Sequence, residues 1–296
     1  MTTAQKIIKY LAMAFAIFLI VTIFSAILSA IYGVSSLLRL NKGTDTAIEM
    51  KDISEELNNS FSYLSIELKS TKLTIKTGDK FNIQTNNDNI KINESNSKLE
   101  IKEKGWLSKN KDKELILYVP ENMKFEKVKI DNGAGTIKIE NLYTGKLDLD
   151  LGAGETIIEN ITSNETEIDS GAGALKIKSG NIRNSDIDIG VGKADITAKL
   201  IGNSKVDTGI GSLNLNLLGA KDEYKLKINK GIGNVSVDGN TVQDNEVIGN
   251  SENIVNINGG IGEIIINFQE SVKWEIANGD IPYGKNRCSW KMIQIK

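Results

Sequence analysis

The residues best placed to do chemistry are five aspartates at a constant interval. Asp131, Asp150, Asp169, Asp188 and Asp207 follow one another every 19 residues, and Asn229 and Asn258 take the corresponding place further on. Carboxylates stacked at about 4.8 Å repel by roughly 1 kcal/mol per neighbouring pair in water, and by more at lower effective dielectric. Such a row needs compensation from backbone N–H groups, from lysines such as Lys129 and Lys205, from raised carboxylate pKa values or from a bound cation. Each Asp stands two residues before a Gly-X-Gly unit, where a short Asx side chain can accept N–H bonds from a tight corner. This predicts a structural role and leaves the five aspartates as weak metal candidates. Calcium-binding repeats of the Gly-Gly-X-Gly-X-Asp type place Asp after the glycines, whereas here Asp precedes them and the period is longer.

Other chemistry is excluded by composition. The chain has no histidine and a single cysteine, Cys288, so an intramolecular disulfide, a Cys/His zinc site and His-dependent acid–base catalysis are ruled out. Serines and threonines therefore lack the usual activating base. The 36 basic and 38 acidic residues leave a net charge of -2, which gives no electrostatic footprint for nucleic acid. Sugar-cleaving β-helical enzymes are the catalytic alternative, but they need clustered acids and aromatic platforms. Aromatics are only 6 % of this chain, and Trp106, Trp274 and Trp290 lie outside the regular repeat. No catalytic residue and no cofactor is expected.

The glycines define the scaffold that positions the aspartates. Gly-X-Gly occurs at Gly133 and Gly135, Gly152 and Gly154, Gly171 and Gly173, Gly190 and Gly192, and Gly209 and Gly211, and then, after longer insertions, at Gly231 and Gly233 and at Gly260 and Gly262. Aliphatics recur three residues before each unit, from Ile130 and Leu149 to Ile228 and Ile257. They recur again six after it, from Ile139 and Ile158 to Val237 and Ile266. Mixed or polar residues separate them, the period of two of a strand with one buried face. Each repeat reads as strand, corner, strand and polar return. The fold class is all-β, a single-chain β-solenoid resembling a right-handed β-helix, with coils of about 19 residues whose aliphatic ladders form the core once neighbours stack. The middle residue of the corner grows from Ala134, Ala153 and Ala172 to Val191, Ile210, Ile232 and Ile261. It is expected to point inward where the cross-section widens.

Four regions follow. Residues 1–38 hold an uncharged apolar stretch over 10–38, long enough to cross a bilayer as one N-terminal transmembrane helix and longer than the apolar core of a cleaved signal peptide. Residues 39–59 read as a tether. The solenoid spans 60–270, with regular coils over 128–268. Alternating segments around Leu64, Leu73, Ile90, Leu99 and Leu115 form irregular first coils or a small β-cap that covers the open end. Residues 271–296 form an irregular tail or cap.

The run Leu117-Tyr118-Val119-Pro120, followed by Phe125, Val128, Ile130, the Gly133-Ala134-Gly135 corner, Ile137 and Ile139, resembles the bacterial putative-adhesin family, a group related to the toastrack and LiaG-like cell-envelope proteins. The resemblance covers about residues 60–270. It implies a membrane-tethered repeat domain with no defined catalytic residues. The expectation is a non-enzymatic, single-pass protein of the cell membrane, its solenoid outside the cytoplasm, offering a surface to an envelope protein or wall glycan. The alternative is an accessory sensor of an envelope-stress signalling system.

Overall fold

The computed structural model describes residues 49–54, 57, 61–105 and 112–269, and they are built almost wholly of strand. The segment 10–38 expected to span a membrane, most of the tether, all three tryptophans and the tail 271–296 lie outside the described residues. Among the described residues no helix is long and apolar enough to cross a membrane.

Seven strands come first: β1 (Lys51–Asp52), β2 (Tyr63–Leu68), β3 (Lys72–Gly78), β4 (Asn82–Thr85), β5 (Ile90–Ser95), β6 (Lys98–Glu103) and β7 (Glu114–Pro120). Two long extended runs, β8 (Phe125–Ile177) and β9 (Gly180–Leu218), then wind through several coils each. A 3-10 turn at Lys221–Glu223 leads to β10 (Lys225–Asn229), β11 (Ile232–Val237), β12 (Asn240–Thr241), β13 (Glu246–Ile248), β14 (Ile254–Asn258) and β15 (Ile261–Gln269).

The coils stack in parallel at the interval the glycines announce. Ile168 pairs with Ile187, Gly173 with Gly192 and Leu175 with Ala194. The ladder does not stop at the corner, so neighbouring corners lie directly on one another. A Cβ on Gly171 would stand 2.5 Å from the carbonyl oxygen of Gly152, and one on Gly173 would overlap that of Gly154 more closely still. Gly173 also has φ +144°, a conformation side-chain-bearing residues rarely adopt. Glycine is thus demanded twice, by backbone conformation and by the approach of the next coil.

Stacking order departs from sequence order at both ends. β14 and β15 pair with β9 on one side and with β10 and β11 on the other, so Ile261 lies between Ile210 and Ile232. The corner of Gly260 and Gly262 therefore precedes that of Gly231 and Gly233 along the axis. At the other end β2 lies between β6 and β8, and β3 between β7 and β8. In each case the outermost coil is joined to the one beneath it by a segment that supplies antiparallel cover. β12 and β13 cover β11 and β10, while β4 and β5 cover β7 and β6, with β1 added to β4.

Tight turns make this reversal possible. Asp238 and Gly239 both have positive φ between β11 and β12, as do Asn96 and Ser97 between β5 and β6, the two-residue geometry that matches strand twist. A polar hairpin on the last coil limits edge-to-edge association.

The interior is a set of aliphatic ladders. Ile130, Leu149, Ile168, Ile187, Val206, Ile257 and Ile228 are all buried, as are Ile139, Ile158, Ile177, Ile196, Leu215, Ile266 and Val237. Burying each such side chain contributes about 1.5–3 kcal/mol. Thr166, Ser185 and Ser204 interrupt one ladder in the middle of the stack and are buried too.

Replacing Gly173 by Ala is expected to lower stability by about 3 kcal/mol or more in a denaturant titration, since backbone must move. Gly105, at φ +83° with nothing within 4 Å of where a Cβ would stand, serves as the comparison. Ala there is expected to cost only about 1 kcal/mol for its conformation.

Candidate functional site

The strand segments before each corner carry alternate residues outward, and the aspartate row is one of the resulting columns. Asp169 pairs with Asp188, Glu67 with Asp131, and Asn258 with both Asp207 and Asn229. The row thus runs from Glu67 through the five aspartates to two asparagines. Among the described residues no corner N–H donates to these five carboxylates, as an Asx-turn would require. Backbone carbonyls of the adjacent coil take N–H groups there: Ala134 donates to Lys69 O at 2.9 Å and Ile232 to Gly260 O at 2.7 Å.

Compensation comes chiefly from side chains at one end of the row. Lys205 Nζ reaches Asp207 at 2.7 Å and Asp186 at 3.4 Å, and Asn258 Nδ2 donates to Asp207 Oδ1 at 2.6 Å. In the parallel column two residues earlier Lys129 pairs with Asp148 at 3.3 Å, and Lys127, from two residues earlier again, reaches it at the same distance. Among the described residues Asp169 has no such cation. Partial loss of solvent pushes its pKa above the usual aspartate value, helped by Asp188, Glu167, Asp150 and Asp186. Asp131 is raised likewise, first by burial and then by Asp150 and Glu67, with Lys129 opposing. Among the described residues, no group of three or more aspartates, glutamates or cysteines is placed to hold a metal ion.

The middle residue of the corner points outward, which corrects the expectation of an inward, widening position. Ile210, Ile261 and Ile232 are 38 %, 51 % and 72 % exposed and lie side by side in register. The corner is convex, and its two glycines carry no side chain to cover the residue between them. The growth from Ala to Ile therefore builds an aliphatic ridge on the surface toward the C-terminal end.

A second centre, which periodicity alone does not single out, lies at the N-terminal end. The coil of β2 and β3 has the same four-residue corner as its neighbours, since Leu68 pairs with Asn132 and Leu73 with Ile137. Lys69, Ser70 and Thr71 occupy it without glycine. Their three N–H groups converge on Glu103 Oε2, at 2.8, 3.0 and 3.2 Å. Glu103 Oε1 accepts from the Lys113 ammonium and, at 3.1 Å, from Asn87 Nδ2. Asn87 Nδ2 also reaches Thr71 Oγ1 at 2.8 Å, and Lys113 Nζ reaches Ser70 Oγ at 2.7 Å. Burial opposes ionisation of Glu103, but the Lys113 ammonium and the donors of Ser70, Lys69 and Thr71 outweigh it and hold the carboxyl at about 2. The alternation Leu99, Ile101, Glu103 in β6 is the available signal, since it places this glutamate on the buried face.

Residues 39–254 match the family described as Toastrack DUF4097. The chain belongs to the Toastrack family. No curated protein matches it. Similar solved structures include a protein described as a putative cell adhesion protein from Clostridium sporogenes, at 18% identity and TM-score 0.35, covering 75% of this chain and 98% of its own. One described as a putative adhesin from Bacteroides fragilis has 15% identity and TM-score 0.40, covering 74% and 96%. Another putative adhesin, from Parabacteroides distasonis, has 15% identity and TM-score 0.39, covering 75% and 96%.

Two pH responses follow for this Toastrack domain. Glu103 has a lowered folded pKa, so its stabilising contribution is complete above the ordinary value near 4.5 and is lost as pH falls toward about 2. Thermal melting of the wild type with its Lys113 ammonium intact, its mass checked beforehand, should therefore weaken across that window more than melting of Glu103→Gln, which should already be less stable at neutral pH. Asp169 has the opposite sign: its raised pKa means that the ionised form destabilises the fold above the folded pKa. Asp169→Asn is expected to raise Tm at neutral pH, with the difference vanishing in acid once the carboxyl is protonated in both states.

Proposed function

We propose that this Toastrack protein is a non-enzymatic contact protein of the cell envelope. It is held in the membrane through residues 10–38, with the solenoid outside the cytoplasm and its outer rows offered to an envelope protein or wall glycan. The observation that carries this reading is the isoleucine ridge. Ile210, Ile261 and Ile232 gain nothing for the core where they stand, and Ala134 and Ala153 fill the same corner position in earlier coils. Outward aliphatics in register offer apolar area to a partner, and the neighbouring acidic row adds charge selectivity at its rim. The long uncharged apolar stretch before the domain supports the membrane attachment.

Cross-linking of intact cells with a membrane-impermeant reagent tests the whole reading. The wild-type chain is expected to give a discrete adduct with an envelope component. The double variant Ile232→Ser, Ile261→Ser, equally folded because both side chains are exposed, should give several-fold less. An undiminished adduct in the variant would remove the ridge from the contact, and an adduct formed only after lysis would overturn the extracytoplasmic placement.

A further inference from the structure

The buried centre around Glu103 holds more chemistry than a stabilising ion pair requires. We infer that Lys113, Glu103 and Asn87 form a self-modification site, at which Lys113 Nζ and Asn87 Cγ join in an intramolecular isopeptide bond.

The geometry brings an amine, an amide and a carboxylate into one hydrogen-bonded group. Lys113 Nζ, the nucleophile, and Asn87 Nδ2, the leaving nitrogen, both hydrogen-bond the same oxygen, Glu103 Oε1. One carboxylate can therefore take a proton from the attacking amine and return it to the departing one. The carbonyl oxygen of the same amide is also engaged, since Asn89 N–H donates to Asn87 Oδ1 at 3.0 Å. That donor lies where negative charge develops as the amide carbon becomes tetrahedral. Ser70 Oγ and Thr71 Oγ1 hold the two nitrogens from the other side, at 2.7 and 2.8 Å.

The reaction balances without any co-reactant. The ion pair is the resting state; in its minor neutral form the Lys113 ammonium has given one proton to Glu103, and the freed amine attacks Asn87 Cγ to form the new C–N bond. The tetrahedral centre then expels Nδ2, which leaves as ammonia with a proton returned by Glu103. The remaining amine proton goes with it as ammonium, so charge is conserved. Asn87, Glu103 and Lys113 are only 1 %, 3 % and 9 % exposed, which keeps water from competing for the amide carbon. Fixing the two reactants in one site also removes the entropic cost of bringing them together.

The bond would have a clear mechanical consequence. Asn87 lies between β4 and β5, in the segment that covers the outermost N-terminal coil, and Lys113 immediately precedes β7 of that coil. Joining them encloses β5 and β6 in a covalent loop. It pins the cap to the coil that has no further coil above it.

Intact-mass spectrometry of the full chain tests the assignment. After overnight incubation at neutral pH the wild type is expected to weigh one ammonia less than its sequence. A tryptic digest should contain a branched peptide joining Lys113 to Asn87, with cleavage after Lys113 absent. Lys113→Arg, which keeps the cation, and Glu103→Gln should both show the full sequence mass. A wild-type chain at full mass would overturn the inference irrespective of how the variants fold. So would an ammonia loss that maps elsewhere, for example to Asn132 before Gly133, or a bond that forms as readily in Glu103→Gln.

Discussion

The structure depends on the stacking of backbone directly on backbone where the coils turn their corners. In most turns the chain leaves the sheet, and side chains satisfy the exposed N–H groups. Here the corners of adjacent coils stay in register, as Ala172 beside Val191 and Gly173 beside Gly192 show, so the closest approach between coils is backbone on backbone. Glycine at both flanks, a step of 19 residues and an outward middle residue all follow. The aspartates are freed from capping by the same constraint, because the donors they could have taken are already used.

That constraint also explains how the ends are finished. A parallel stack leaves an open edge at each end, and a further parallel coil would only move the edge outward. Reversing direction on the last coil produces antiparallel strands that cover it. At the C-terminal end the chain then returns one level down, which places β14 and β15 under β10 and β11, whereas at the N-terminal end it leaves β2 and β3 through the cap and comes back as the outer coil of β6 and β7. At the N-terminal end the corner of the second coil, formed by β2 and β3, lacks glycine. There a carboxylate from the neighbouring coil takes over three corner N–H groups and is itself balanced by a buried lysine. Removing one partner of such a centre would strand a buried charge, so it specifies the end as much as it stabilises it.

Alternation at Ile130, Ile168, Ile187 and the other buried columns is legible because period two has a single physical meaning when one face is covered. The alternation around Leu64, Leu99 and Leu115 likewise announces strands, read as irregular first coils or a small β-cap. The corner residues mislead. Val191, Ile210, Ile232 and Ile261 look like core by composition, yet a convex bend between two glycines turns the three isoleucines to solvent. Glu103 is hidden for the opposite reason, since a charged residue in a strand normally marks the wet face. Only the convergence of Lys69, Ser70, Thr71, Asn87 and Lys113 makes its burial tolerable.

The amino-acid sequence by itself determined the repeat, its length, the strand faces and the corners, since each is a local property of spacing and residue type. The tertiary structure decided what depends on distant residues meeting. It placed the coil of Ile261 between those of Ile210 and Ile232, although Ile232 comes first in the chain. It also brought Asn87, Glu103 and Lys113 to a common hydrogen-bonded centre from three separate places along the chain. Neither outcome is encoded at short range: every regular coil presents the same edge to its neighbours, so the choice among them is made by which arrangement leaves both ends covered.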